Sequence, residues 1–340
     1  MTQISETKQA PAERTVAEQA NGAEATRDDV YHAFRLLLGR DPDAAALELI
    51  CRAVVDHRMT PTALADGIMA SPEFALRGGR VPLENAPVEV RMDGFSLFAR
   101  PEDYDIGQSI RQHEPHVVAM LHQFLRPGDV FVDIGANIGL FTNLAARLVG
   151  DSGFVLAVEP MDKNIQLIHR ALEHNKFGHV RVEACAASDR NGRVAIASHR
   201  GTSNGHVVRP GTAGLQLVFA QTRRLDDLAA DLPRIDLVKF DIEGCELLAW
   251  RGFRNSLEKH RPRVLTEFHP HCMRTFIGVE PRDYLDTLFE YGGELYVLSA
   301  DGKRIPCKTP EDVMRCWDEA NRASAADGKN HLDLFVVPRS

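Results

Sequence analysis

Long apolar runs, paired cysteines and a targeting segment are all missing from this 340-residue sequence. No window approaches the roughly eighteen uninterrupted apolar residues of a membrane-spanning helix. The N-terminus lacks the charged start, the apolar centre and the small-residue cleavage site of a secretory signal. The six cysteines include no CxxC pair, so reduced thiols are the simplest expectation. These absences predict a cytoplasmic protein with no membrane span.

Clustered basic residues are also missing. The formal net charge is -8, and no block of Lys and Arg occurs. Nucleic-acid phosphates are bound through such clusters, so no nucleic-acid partner is expected. The composition is otherwise that of a globular protein, with 44% hydrophobic and 26% charged residues. Residues 1–26 are the exception, because their Ala, Glu, Thr and Gln bury too little apolar surface to offset chain entropy, which predicts a disordered tail.

Residues 27–78 are predicted to form a small all-helical domain. GRDPD, TP and SPEF punctuate its helices. FRLLLGRDPDAAAL followed by IMASPEF resembles the phycobilisome-linker-like helical domain that accompanies glycan-modifying enzymes. The prediction is a packing module without chemistry of its own, open to a protein partner, followed by a linker at 79–87. Apolar residues recur with helical spacing at Val30, Phe34, Leu37, Leu38, Leu47, Ile50, Val54, Leu64 and Ile68.

Residues 88–340 are predicted to form one α/β domain. VEVRMDGFSLFARPED alternates apolar and polar residues around Asp93 and Gly94, which indicates a hairpin. From residue 126 onward, strand patterns alternate with helical patterns, as in a parallel sheet with helices on both faces. The expected architecture is a doubly wound, mostly parallel, seven-stranded sheet. Its predicted strands are 130–134, 153–158, 180–184, 235–241, 263–268, 294–299 and 332–337.

The turn after the first of these strands carries the strongest ligand signal. Its pattern is Asp133, Gly135, Asn137 and Gly139, within VFVDIGANIGLF. Glycines there let the backbone approach a ligand. The spacing is GxxxG, whereas a dinucleotide fingerprint needs GxGxxG. An acidic residue beside the turn would repel a pyrophosphate but suits the ammonium group of an amino-acid-like ligand, which points to S-adenosylmethionine.

Two later strands strengthen this prediction. Glu159 ends the second strand, where a carboxylate can accept both ribose hydroxyls. Ser188 and Asp189 follow the third, where a carboxylate can accept an adenine amino group. Ribose recognition is shared with NAD, but no tyrosine has a lysine four residues later, so the catalytic pair of short-chain dehydrogenases is missing.

At this point the sequence resembles the FkbM-type methyltransferases of the class I S-adenosylmethionine-dependent fold. The matching segments are LRPGDVFVDIGANIGLFTNLAA, AVEP, IDLVKFDIEGCELLAWRG and RPRVLTEFH, within residues 110–270. The resemblance implies a seven-stranded sheet with an antiparallel last strand, and O-methylation of a hydroxyl on a sugar or natural product. The helical pattern at 310–324 is a departure, because this class usually has a short hairpin there.

Ligands of an open parallel sheet bind beyond the carboxyl ends of its strands. The fourth strand leads into Asp241 and Glu243, and the fifth ends in Glu267 and His269. A hydroxyl acceptor must lose its proton to a base or through a bound divalent cation. His269 is the first candidate for the base, because imidazole titrates near neutral pH. Asp241 and Glu243 either orient the acceptor or join Glu267 as Mg²⁺ ligands.

The same region leaves further possibilities open. His269, His271 and Cys272 resemble half of a zinc site, although no second half follows. Polar residues in two other segments are candidates for acceptor contacts, namely His113, Glu114, Ser203, Asn204 and His206.

The predicted function is S-adenosylmethionine-dependent O-methylation of a saccharide or specialised metabolite. One alternative is a noncatalytic scaffold that binds the cofactor or a glycan. A nucleic-acid N-methyltransferase is the other, disfavoured because DIEG stands where such enzymes carry Asp/Asn-Pro-Pro-aromatic.

Overall fold

The computed structural model describes residues 24–71, 73–74, 87–100, 114–198, 205–208, 217–324 and 328–339. The chain divides into two units, Met1–Asn85 and Ala86–Ser340. Most of the predicted tail and linker lies outside the described residues, as do His113, Ser203 and Asn204.

The helices given with bounds in the described part of the first unit are α1 (Arg27–Leu38), α2 (Ala44–His57) and α3 (Pro61–Met69). Each begins at a side-chain cap: Thr26 forms a capping box with Asp29, and Asp43 and Thr60 accept from the first turns of α2 and α3. Such caps satisfy amide groups that a helix leaves unpaired. The predicted apolar positions face one core, with Ile50 half-buried at its edge. The resemblance of this unit to phycobilisome linkers stays a prediction.

The second unit is built on an eight-stranded sheet in the order β13-β12-β14-β11-β10-β3-β4-β5. The strands β11, β10, β3, β4 and β5 run parallel, and β14 is antiparallel to both of its neighbours. This confirms the predicted mostly parallel α/β fold with an antiparallel last strand. The strand bounds are β3 Val130–Ile134, β4 Phe154–Val158, β5 Val180–Glu183, β10 Leu237–Phe240, β11 Arg263–Phe268, β12 Gly292–Leu298, β13 Arg304–Cys307 and β14 Leu332–Pro338.

Strand β13 is the eighth strand, which the sequence pattern did not predict. It pairs with β12 at the edge of the sheet and buries only Cys307. Short, exposed edge strands lack the apolar pattern on which strand prediction depends. The predicted helix at 310–324 is present after this hairpin, as Pro310–Ser324.

Helices cover both faces of the sheet. Every residue of β3 is buried, and its successive side chains alternate between two cores: Val130 and Val132 face one cluster and Phe131 the other. No helix in the described part of the chain is both long and apolar enough to cross a membrane. The helices of this unit are α4 Pro115–Phe124, α5 Leu140–Val149, α6 Asp162–Asn175, α7 Leu225–Leu228, α8 Glu246–Gly252, α9 Arg254–His260, α10 Pro270–Cys272, α11 Pro281–Tyr291 and α12 Pro310–Ser324, with a π-helix at Met273–Ile277.

Two smaller sheets complete the unit. The predicted hairpin pairs β1 (Val88–Arg91) with β2 (Ser96–Ala99). Four further strands form a sheet in the order β6-β9-β7-β8, and β8 contributes to the wall of the cavity described below. Their bounds are β6 Ala186–Ala187, β7 Gly192–Ser198, β8 Gly205–Val207 and β9 Leu217–Arg223.

Candidate active site

A cavity of about 320 Å³ opens at the carboxyl ends of β3, β4, β10 and β11. Ile134 and Val158 end the first two of these strands and line the cavity, as does Asp241 directly after β10. This is the edge at which ligands bind in open parallel sheets. Its volume is in the range of small-molecule sites, about 300 to 1,000 Å³.

The glycine turn forms one wall. Gly135 has a φ of +87°, and a Cβ atom there would lie 1.8 Å from the carbonyl oxygen of Asp241. Only glycine can occupy this position, because the turn passes directly against the end of β10. Gly135 and Asn137 line the cavity, whereas Gly139 lies outside its lining, as the N-terminal cap of α5.

Glu159 is held in place beside this turn. Its carboxylate accepts hydrogen bonds from the amide of Asn137 at 2.9 Å, the amide of Met161 at 3.0 Å and the side chain of Asn164 at 3.2 Å. Burial raises the pKa of Glu159 to about 7, although these donors oppose the shift. A carboxylate has about four acceptor positions, so about one is left for a ligand. Glu159 lines the cavity, as a ribose-binding residue would.

Asp133 lies behind the cavity wall and does not line the cavity. It is 0% exposed and is outside the cavity lining. Its Oδ2 accepts from the hydroxyl of Thr142 at 2.5 Å, and its Oδ1 has no hydrogen-bond partner among the described residues. Burial raises the pKa of Asp133 to about 6, against the attraction of Lys239. The geometry makes Asp133 a support beneath the turn, and direct contact with a ligand ammonium group stays a prediction.

The part of the cavity predicted to hold adenine is lined by small side chains. Cys185, Ala186 and Ala187 line the cavity here, whereas Ser188 and Asp189 do not. The Ser188 hydroxyl instead donates to Asp189 at 3.3 Å. Contact of these two residues with adenine therefore stays a prediction.

The opposite end is acidic. All four predicted catalytic residues line the cavity together, namely Asp241, Glu243, Glu267 and His269. Burial and the charge of Asp241 raise the pKa of Glu243 to about 7 and that of Glu267 well above its ordinary value. Glu267 Oε2 is buried without a hydrogen-bond partner among the described residues, and its Oε1 lies 3.4 Å from Nδ1 of His331.

Glu243 and Glu246 have different roles. Glu246 is fully buried, and its Oε1 accepts from the amides of Ile242 at 3.0 Å and Gly244 at 3.2 Å. Glu246 therefore fixes the turn after β10. Glu243 has a φ of +54°, a strained conformation for a residue with a side chain, and that side chain faces the cavity.

Lys239 is a site residue with no role in the sequence-based predictions. It is 3% exposed, its Nζ lies 2.5 Å from Asp241 Oδ2 and 3.9 Å from Glu114 Oε2, and it packs over the ring of Phe141. Burial alone would lower the pKa of Lys239, but the carboxylates of Asp241, Glu114 and Asp133 raise it above its ordinary value. The sequence feature that could have identified Lys239 is its position as the single lysine in the buried strand LVKF, because a buried lysine needs ionic partners.

His269 is half-buried directly after β11. Burial lowers the pKa of His269 to about 4, and neighbouring His331 and His271 act in the same direction. Its Nδ1 accepts from the amide of Cys272 at 3.4 Å. A neutral imidazole with an acceptor at Nδ1 carries its proton on Nε2. That tautomer weighs against His269 as the base, a role that stays a prediction.

One group of potential metal ligands is present among the described residues. A ligand atom of each of Glu243, His269 and Cys272 lies within 4.8 Å of the other two. Asp241, Glu243 and Glu267, the residues predicted to bind Mg²⁺, do not form such a group of ligand atoms within 4.8 Å among the described residues.

Comparisons with known proteins identify several methyltransferases that this chain is similar to. Residues 133–295 match the model of the family described as Methyltransferase FkbM domain. A protein-L-isoaspartate O-methyltransferase from Methanothrix thermoacetophila is 34% identical over 104 residues, which cover 30% of this chain and 48% of that protein. Methyltransferase 1 from Beauveria bassiana is 25% identical over 186 residues, which cover 47% of this chain and 72% of that protein.

Among solved structures, methyltransferase FkbM from Methylobacillus flagellatus KT is 20% identical, with a TM-score of 0.33, over 56% of this chain and 48% of that one. This chain thus spans about half the length of the archaeal relative and of the solved FkbM chain. The family match covers 163 of the 340 residues. More particularly, the matched domain is of the FkbM type, which confirms for this segment the resemblance seen in the sequence.

Proposed function

We propose that this protein is an S-adenosylmethionine-dependent O-methyltransferase whose acceptor is a hydroxyl of a saccharide or specialised metabolite. The observation that carries the proposal is one cavity with a buried carboxylate suited to a ribose, Glu159, at one end and half-buried carboxylates at the other. In this proposal the cofactor and acceptor sites share one cavity, as in-line methyl transfer requires.

The cofactor end is organised by the glycine turn. Asn137 and Glu159 are linked by a 2.9 Å hydrogen bond, which fixes the carboxylate relative to the turn. In the proposed complex the remaining acceptor position of Glu159 binds the ribose. Ala186 and Ala187 leave room for a flat base against β6. The fit is to a nucleoside without a pyrophosphate, because the turn is supported by the buried carboxylate of Asp133.

At the acceptor end the substrate oxygen attacks the methyl carbon. The O–C bond forms as the S–C bond breaks, and the sulfonium leaves as a neutral thioether with the bonding electron pair. The hydroxyl proton must go to a base. We assign this proton to Glu267, because its Oε2 is buried at the cavity with no hydrogen-bond partner among the described residues. Asp241 is held by Lys239 and orients the acceptor.

The lining also indicates the class of acceptor. It contains the carboxylates of Glu114, Asp241, Glu243 and Glu267, but no Lys or Arg among the described residues. Carboxylates accept hydrogen bonds from hydroxyl groups and repel phosphates. A hydroxyl-rich neutral acceptor therefore fits, and a nucleic acid does not.

The test is methyl transfer from radiolabelled S-adenosylmethionine to a panel of mono- and oligosaccharides. We expect label in a base-stable ether, formation of S-adenosylhomocysteine, and rates insensitive to salt. Glu267→Gln should lower the rate by about 100-fold or more, the range of general base catalysis, without changing cofactor affinity. Cofactor binding with no product from any acceptor would support the noncatalytic scaffold instead. Cytoplasmic location and a protein partner for the helical unit stay predictions.

A further inference from the structure

Three side chains at the acceptor end form a chelating group for a metal ion. The ligand atoms of Glu243, His269 and Cys272 all lie within 4.8 Å of one another, and Cys272 Sγ is 3.9 Å from Glu243 Oε2. Ligand atoms around a tetrahedral Zn²⁺ are separated by roughly 3.5 Å, given bonds of about 2.0 to 2.3 Å. The three side chains therefore need only a small inward movement to share one ion.

The backbone holds these residues together. Gly244 has a φ of +97°, and a Cβ atom there would lie 2.8 Å from both the carbonyl carbon of Cys272 and the amide nitrogen of Met273. The turn after β10 is thus packed directly against α10, which places Glu243 beside Cys272. His269 caps the first turn of the same short helix. Residues from two separate parts of the chain are brought to one point by a contact that only glycine allows.

Acidic side chains outnumber basic ones around these three residues. Asp241, Glu243 and Glu267 all line the same cavity. Lys239 is already paired with Asp241, and no Lys or Arg among the described residues lines the cavity. A bound cation would offset these charges, and buried carboxylates are retained where they are paired or coordinate a metal.

The donor atoms select the kind of metal. A thiolate, an imidazole and a carboxylate suit Zn²⁺, whereas Mg²⁺ requires oxygen ligands. Metal binding through Nδ1 of His269 would replace the long, 3.4 Å hydrogen bond that this atom accepts from the amide of Cys272. We propose that Glu243, His269 and Cys272 bind one Zn²⁺ ion, whose fourth position faces the cavity.

The inference rests on the proposed function in one respect: the fourth position would receive the acceptor hydroxyl. Zn²⁺ lowers the pKa of a bound oxygen, so the hydroxyl loses its proton more readily. Metal binding itself does not depend on this role.

The test uses the full chain, stripped with a chelator and titrated with Zn²⁺ by calorimetry. We expect one Zn²⁺ per chain. Cys272→Ala and Glu243→Gln should each weaken Zn²⁺ binding by at least about 100-fold, since the loss of a group that only orients a metal ligand already costs about 10- to 100-fold. Cys307→Ala is the matched control, because both cysteines are 5% exposed and Cys307 lies in the edge strand β13, outside the group of three ligands. It should bind Zn²⁺ like the unmodified protein.

Co²⁺ provides a second readout. A thiolate-to-Co²⁺ absorption band in the near ultraviolet should appear in the unmodified protein and in Cys307→Ala, but not in Cys272→Ala. Near-ultraviolet circular dichroism establishes that each variant is folded. Absence of Zn²⁺ binding, or equal binding by all variants, would overturn the metal site. The proposed function is tested separately, because S-adenosylhomocysteine affinity of the stripped protein does not depend on the metal.

Discussion

Replacing Glu159 by glutamine tests the cofactor end of the cavity. The change keeps the size of the side chain and removes its charge. In the proposed complex Glu159 accepts one charge-assisted hydrogen bond from the ribose, worth about 1.5 to 3 kcal/mol. Loss of that bond corresponds to roughly 10- to 150-fold weaker S-adenosylhomocysteine binding. Glutamine also turns an NH₂ group toward one of the amides that donate to Glu159, so the upper part of this range is expected.

The pH dependence of S-adenosylhomocysteine binding tests the role of Glu159 more directly. The pKa of Glu159 in the unliganded fold is about 7 because of burial, above its ordinary value of 4.5. A ligand that requires the ionised carboxylate lowers this pKa, so binding releases a proton below pH 7. Affinity should therefore rise with pH, by up to about tenfold per unit below pH 7, and become constant above it.

The assay is calorimetric titration with S-adenosylhomocysteine between pH 5.5 and pH 8.5, conditions chosen to bracket that pKa. Glu159→Gln should show weak binding with no slope. Glu183→Gln is the matched control, because Glu183 ends the neighbouring strand β5 and lies outside the cavity lining. Its affinity and slope should equal those of the unmodified protein. Equal affinities for the Glu159 variant and the control would refute the assignment of Glu159 to the ribose.

Three further predictions follow from the geometry. Gly135→Ala should lower the melting temperature sharply and prevent cofactor binding, because the added Cβ would overlap the Asp241 carbonyl. Gly302→Ala is its control, because Gly302 has a similar positive φ but open space around it. This control should lower the free energy of unfolding by only about 1 to 3 kcal/mol, as measured by denaturant unfolding. Lys239→Met should lower the free energy of unfolding by about 3 to 5 kcal/mol, because the carboxylates around it lose their partner. Lys303→Met, at an exposed ion pair, should change the free energy of unfolding by less than about 0.5 kcal/mol. A similarly small change at both sites would contradict the pairing of Lys239 with Asp241. Removal of residues 1–80 should leave S-adenosylhomocysteine affinity within about twofold, as measured by calorimetry, and an unfolded product would show that the helical unit is needed by the larger one.

The sequence was sufficient for elements with strong local patterns. β3 is apolar and fully buried, so its position and the glycine turn after it were predictable, and Glu159 follows from the next strand of the same kind. Strand β13 was not predictable, because three of its four residues are exposed and its pairing with β12 is its main support.

The sequence pattern could not predict which acidic side chains line the cavity and which lie behind its wall. Asp133 and Glu159 both follow the periodicity of buried strands, yet Asp133 lies beneath the turn and Glu159 lines the cavity. The difference depends on Thr142, which binds Asp133 from the following helix. The grouping of Glu243 with Cys272 was equally hidden, since it arises from the packing of Gly244 against α10 across 29 positions of sequence.

The central claim is that the cavity binds S-adenosylmethionine, and its most direct test is calorimetry of the full chain with S-adenosylhomocysteine and, separately, with NAD. We expect one S-adenosylhomocysteine bound per chain and no heat from NAD. Binding of NAD, or of neither compound by folded protein, would contradict the claim.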